Sequence, residues 1–196
     1  MQQLVVASNN PGKILEITSM INDIELLSMA DIGFTQEIPE PYDSFEENAL
    51  AKASAIYSFC NKNTFADDSG LCVEALNGAP GVISAHYSGS RHDGQNLQKV
   101  LDELQGIKNR NAFYKAVICL IWDGEVYYFE GICRGAIAQE PAGTGGFGYD
   151  PAFIPDGHTD TFGQLQLTVK NAISHRGAAV RKMVDFLQHK IADSAL

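Results

Sequence analysis

Residues 112–122 and 125–134 are two long, apolar-rich runs separated only by Asp123-Gly124. Asp-Gly is a strong hairpin signal, because both positions tolerate positive φ and such a turn matches the right-handed twist of the strands it joins. Two long strands joined this way predict a mixed sheet, not a purely parallel one. The compact apolar run 3–7 reads as a buried strand at the start of the chain. A polar turn and a helix with Ile14, Ile17 and Ile21 on one face follow it. With 196 residues, a single domain or two closely joined lobes is expected.

A second strand is expected over 24–29, followed by a proline-broken segment that excludes a central strand or helix. Ser44 with Glu47 three positions on matches a capping box and opens a helix to about Cys60. Ala49, Ala53, Ile56, Tyr57 and Cys60 make its apolar side, with Asn48 and Lys52 on another face. Further helices are expected over 93–104 and at the C-terminal end, where Val180, Met183, Val184 and Leu187 share a face.

The stretch Phe65-Ala66-Asp67-Asp68-Ser69-Gly70 is the chemical focus. It reads as a short strand, 64–66, ending in two carboxylates, with Ser-Gly turning the backbone sharply and a helix or strand over 71–76. Paired carboxylates beside a hydroxyl suit a hard divalent cation and the water it activates, since Mg²⁺ takes oxygen ligands and few of them from protein. A lone acidic turn is more often only solvated. Ser8-Asn9-Asn10-Pro11-Gly12-Lys13 joins a strand to a helix N-terminus, where free N–H groups and the helix dipole favour anions. It is not a P-loop, and an ordinary capped helix with a surface lysine explains the spacing as well. Glu40 lies in the loop before the capping box, from where a carboxylate could reach Asp68.

Gly143-Thr144-Gly145-Gly146-Phe147-Gly148 formally matches Gly-x-Gly-x-x-Gly. It follows Pro141-Ala142 and runs into Tyr149-Asp150-Pro151, so it neither leaves a strand nor opens a helix, and a dinucleotide-binding reading is rejected. Backbone amides and the rings of Phe147 and Tyr149 suit a planar base instead. Lys170, His175 and Arg176 bring donors near a helix start. A net charge of −10 excludes a duplex nucleic-acid binder, though not a small phosphorylated ligand. Cys60, Cys72, Cys119 and Cys133 lack Cys-x-x-Cys spacing and read as reduced thiols of a cytoplasmic protein. No signal peptide is apparent, and the longest apolar stretch, 116–122, is too short to span a membrane.

Taken in order, the stretches 8–13, 44–52, 66–70, 78–81, 140–151 and 174–177 resemble the inosine/xanthosine triphosphate pyrophosphatases over nearly the whole chain. The resemblance implies an α/β fold, a two-lobed mixed β-sheet with flanking helices and a deep central cleft, one functional unit over 1–196, and a homodimer. It implies hydrolysis of deaminated purine nucleoside triphosphates (dITP, ITP, XTP) to the monophosphate and pyrophosphate with Mg²⁺. On that pattern Ser8, Asn9, Asn10, Pro11, Gly12 and Lys13 hold the triphosphate and Ser69 contacts substrate. Asp68 is the general base or metal-bound activator of water, with Glu40 the second metal carboxylate. Phe147, Gly148, Tyr149, Asp150, Lys170, His175 and Arg176 form the base pocket. His86 stands where similar sequences carry Arg. The alternatives are a catalytically silent nucleotide-binding sensor and, on the glycine-rich loop alone, an NAD-type oxidoreductase.

Overall fold

The computed structural model describes residues 2–193. Six strands form one mixed sheet in the order β2-β1-β3-β4-β5-β6. They are β1 (Gln3–Val6), β2 (Glu25–Leu27), β3 (Thr64–Val73), β4 (Asn111–Trp122), β5 (Glu125–Ile137) and β6 (Phe153–Pro155). The helices are α1 (Pro11–Thr18), α2 (Phe45–Cys60), α3 (Asp93–Glu103), α4 (Leu167–Ile173) and α5 (His175–Asp193). β1 pairs in parallel with β2 and β3, whereas β5 and β6 are antiparallel. The turn between β4 and β5 has φ of 51° at Asp123 and 86° at Gly124, the geometry that Asp-Gly anticipates.

The chain divides into two compact units. Unit 1 comprises Met1–Asp68, Ala116–Gly131 and Arg176–Leu196; unit 2 comprises Ser69–Lys115 and Ile132–His175. The core of unit 1 takes Leu4 and Val6 from β1, Ile17 from α1 and Phe65 from β3. Ala116, Ile118, Leu120 and Trp122 join it from alternate positions of β4, and Ala179, Val180, Met183 and Leu187 from one stripe of α5. Unit 2 packs Leu71 and Val73 of β3 with Leu97 and Val100 of α3, Tyr114 of β4, and Phe153 and Phe162. Each fully buried Leu or Ile in these clusters stabilises its unit by about 1.5–3 kcal/mol.

One expectation needs correction. β3 does not stop at the paired aspartates: it runs unbroken through Ser69-Gly70 to Val73, so the carboxylates sit in mid-strand and no turn follows them. Gly70 serves close packing instead. A Cβ there would lie 2.1 Å from the Gly81 carbonyl oxygen, nearer than any side chain can approach. Lys52 and Asn48, on a face of α2 apart from its apolar side, are buried along with Ala49, Ala53 and Ile56. The four cysteines are free thiols, three of them buried. Among the described residues no helix is long and apolar enough to cross a membrane.

Candidate active site

The charged groups of unit 1 converge on β3. Residues 67 and 68 are adjacent on a strand and so point to opposite faces. Asp67 is 1% exposed and Asp68 4%, and burial of a carboxylate demands compensation. Asp67 finds it in two cations: Lys13 Nζ lies 2.8 Å from Oδ2, and Arg176 donates from Nε and Nη2 to the same oxygen at 3.4 Å each. Arg176 Nη1 also donates to Glu16 Oε2 at 2.5 Å. Burial opposes ionisation of Asp67, but Arg176 and Lys13 outweigh it and hold its carboxyl well below the usual range.

Lys13 is placed by its helix. Asn10 caps α1, its Oδ1 accepting from the Lys13 N–H at 3.1 Å, and Pro11 opens the first turn, where a missing N–H costs nothing. Asn9, Asn10 and Pro11 are exposed and Ser8, Gly12 and Lys13 half-buried, so this helix start is open to an anion.

Asp68 has a different setting. Its Oδ1 lies 3.5 Å from Lys52 Nζ. That ammonium is shared, because it also donates to Glu40 Oε2 at 2.5 Å and to the Asp67 carbonyl oxygen at 2.9 Å. Burial, with the negative charges of Glu40 and Asp67 behind it, raises the Asp68 carboxyl above its ordinary 3.8 despite Lys52 and Lys13. Glu40 moves the other way: burial opposes the shift, but Lys52 prevails and lowers it. Burial likewise opposes the charge of Lys52, and Asp68 and Glu40 outweigh it. Lys52 is therefore an ammonium at neutral pH. The Glu40 loop is fastened to α2 by Asn48, whose side chain accepts from the Tyr42 N–H and donates to its carbonyl, both at 3.0 Å. Ser44 caps that helix: its Oγ accepts from the Glu47 N–H at 3.2 Å and donates to Glu47 Oε2 at 2.7 Å.

In unit 2, Lys170 of α4 is 2% exposed and lies 2.5 Å from Asp150 Oδ2. Its ammonium stands 5.1 Å from the Phe147 ring centroid and 5.4 Å from that of Phe162. Asp150 Oδ2 also accepts from the Phe147 N–H at 2.8 Å, and the Gly148 N–H donates to Asp93 Oδ2 at 2.8 Å. The glycine-rich loop is thus shaped by carboxylates and opens no helix. Tyr149 is buried with its hydroxyl donating to the Ser84 carbonyl at 2.7 Å, and His175 stacks on Tyr114 at 4.5 Å and 6°. Ser69 is half-buried on β3, and His86 is exposed.

Unit 1 thus assembles Lys13, Glu40 and Asp68; unit 2 assembles Phe147, Gly148, Asp150 and Lys170. Arg176 belongs to unit 1, where its guanidinium is bound by Asp67 and Glu16. Those contacts tie Arg176 to Asp67 and Glu16 in this structure. Sequence reasoning missed Lys52 and Glu16. The signal for each was faint: Glu16 lies one helical turn from Lys13, and Lys52 one turn from Asn48 between small apolar residues.

The family model for the Ham1 family matches residues 4–186. The dITP/XTP pyrophosphatase of Flavobacterium psychrophilum is 48% identical over 189 residues, covering 95% of this chain and 100% of that protein. That of Bacillus subtilis is 42% identical over 194 residues, covering 96% and 98% respectively. Among solved structures, the Staphylococcus aureus Ham1 protein superposes with a TM-score of 0.88 at 37% identity, covering 96% of this chain and 100% of that one.

Proposed function

This chain belongs to the Ham1 family, and on that premise we propose that it hydrolyses dITP, ITP and XTP to the monophosphate and pyrophosphate. Water attacks the α-phosphorus, the bond to the bridging α–β oxygen breaks, and pyrophosphate leaves. The observation that carries this reading is Asp68, a buried carboxylate 3.5 Å from Lys52 and raised above its ordinary value, in the same unit as Lys13. A base tuned upward in this way can accept the proton of the attacking water. Lys13 and Lys52 supply positive charge where the polyphosphate accumulates negative charge.

The donor set suits Mg²⁺. Glu40 and Asp68 offer hard oxygen ligands, and among the described residues no group of three or more His, Cys, Asp or Glu is arranged to hold a metal. Two carboxylates suffice for an ion arriving with its nucleotide, since Mg²⁺ is commonly held by one or two carboxylates plus substrate phosphates. When bound there, the ion neutralises phosphate charge and polarises the reacting oxygens.

Recognition of the purine is assigned to unit 2, where Lys170, Asp150, the Phe147 and Gly148 amides and His175 supply polar groups around aromatic rings. Donors satisfying the 6-oxo oxygen of hypoxanthine or xanthine meet an amine in ATP, and each buried donor left unpaired costs about 1–3 kcal/mol. The protein is further proposed to act as a cytoplasmic homodimer, which light scattering of the purified protein checks.

Pyrophosphate release measured side by side with ITP, dITP, XTP, ATP and GTP, with Mg²⁺ and with EDTA, tests the reading. Asp68→Asn is expected to fold and bind ITP while losing about 10²–10⁴-fold in turnover. Near-normal turnover of that variant would remove Asp68 from its role. ITP binding by the natural protein without pyrophosphate release would identify a silent sensor.

A further inference from the structure

Lys52 Nζ is 2.5 Å from Glu40 Oε2, 2.9 Å from the Asp67 carbonyl oxygen and 3.5 Å from Asp68 Oδ1. An ammonium has three N–H donors, and here three oxygens receive them. Two of those oxygens belong to the carboxylates assigned above to Mg²⁺. Both cations would draw on the same two carboxylates, and two positive centres so close beside the buried Asp68 repel strongly. The carboxylates themselves are anchored, Asp68 in mid-strand and Glu40 on a loop pinned through Asn48. The ammonium ends four rotatable bonds from α2 and is the mobile partner.

We propose that Lys52 is a built-in placeholder, occupying the cation position between Glu40 and Asp68 until a triphosphate draws the ammonium onto its own oxygens. The inference rests on the assignment of Glu40 and Asp68 as metal ligands. Its consequence is order: the free protein binds divalent ions poorly, and nucleotide and metal enter with positive coupling. The lysine then acts on metal occupancy through the two carboxylates, apart from any contact it makes with phosphate.

Mn²⁺ binding, followed by electron paramagnetic resonance and by calorimetry without nucleotide, tests this. The natural protein is expected to bind Mn²⁺ weakly. Lys52→Met and the neutral hydrogen-bonding Lys52→Gln are expected to bind it at least tenfold more tightly and to gain thermal stability from it. Adding Glu40→Gln to either variant is expected to abolish the gain. A merely structural lysine would give variants with unchanged or weaker metal affinity, and that result overturns the proposal. A parallel titration uses the natural protein and Asp68→Asn with the non-hydrolysable α,β-methylene analogue of ITP. If the analogue recruits Mn²⁺ in an Asp68-dependent way while neither Lys52 variant gains affinity, the placeholder role fails and the metal assignment stands. If neither the analogue complex nor the variants hold Mn²⁺, both fail.

Discussion

Arg176→Met removes a guanidinium that is 2% exposed and leaves behind Glu16 at 3% and Asp67 at 1% exposure. Methionine keeps much of the stem's volume, so the change isolates the charge and its hydrogen bonds. Breaking a buried ion pair from one side costs about 3–5 kcal/mol, because a desolvated charge loses its compensation. Asp67 keeps Lys13 at 2.8 Å, which places the expected loss near the low end, about 3 kcal/mol. In a chain of 196 residues that corresponds to a Tm lower by about 6–12 °C. The loss depends on pH with a definite sign. Asp67 has a folded pKa below its ordinary 3.8, so its ionisation contributes stability above that value, lost only as pH falls through the depressed folded value. Without Arg176 that depression shrinks, so the deficit is full at pH 7 and diminishes below about pH 4. Urea unfolding followed by circular dichroism at both pH values measures it, and Arg176→Lys, which cannot fork between two carboxylates, falls in between. The companion measurement is the ITP-to-ATP ratio of kcat/KM. It is expected to survive the substitution, because the guanidinium is committed to Asp67 and Glu16. A loss under about 1 kcal/mol at pH 7, together with collapse of that ratio, would refute the reasoning and return Arg176 to the base.

Glu40→Gln removes a like charge from Asp68 and leaves Lys52 more fully to it; both changes lower the raised Asp68 carboxyl, so the acid limb of kcat/KM is expected to move to lower pH. A limb that stays in place or moves up counts against Asp68 as the titrating base. Lys170→Met takes the cation from Asp150, 3% exposed, and is expected to destabilise by about 3 kcal/mol and to raise the KM for ITP more than it lowers kcat. Gly146→Ala puts a Cβ 2.0 Å from Asp150 Oδ2 at a φ of +72°. The loop must shift, and ITP affinity is expected to fall at least tenfold while unit 1 keeps its circular-dichroism signature.

Local chemistry was readable from the sequence. Asp123-Gly124 announced its turn, Ser44 and Glu47 their cap, and Asn10-Pro11 the start of α1, because each depends on residues within a few positions. What escaped depends on partners far along the chain. Ser69-Gly70 resembles a turn in isolation, and only the Gly81 backbone, brought against it by folding, shows why glycine is needed within a strand. Lys52 carries the pattern of a solvated helix lysine until Asp68, sixteen positions on, is placed beside it. Arg176 and Glu16 are 160 positions apart, and no periodicity links them. β6, at three residues, is too short for an alternation to register. The family pattern pointed to side chains on β3 and the glycine-rich loop, but it could not say which cation each carboxylate would take.

That partition of cations is what distinguishes two chemically identical neighbours. Asp67 and Asp68 sit on one strand at adjacent positions, and strand geometry alone sends them to opposite faces. Asp67 meets Arg176 and Lys13 at one oxygen and is pinned in its ionised form. Asp68 meets the Lys52 ammonium at 3.5 Å, itself drawn to Glu40 at 2.5 Å, and has two like charges nearby. The first carboxylate is therefore a fixed counter-ion that can hold Lys13 toward a phosphate but is a poor proton acceptor. The second binds a proton more readily and is loosely enough held to take one from water. When environments push two carboxyl groups apart in this way, the raised one is the candidate base. In this chain the difference arises from helices α1, α2 and α5, each supplying one cation to a particular side of β3.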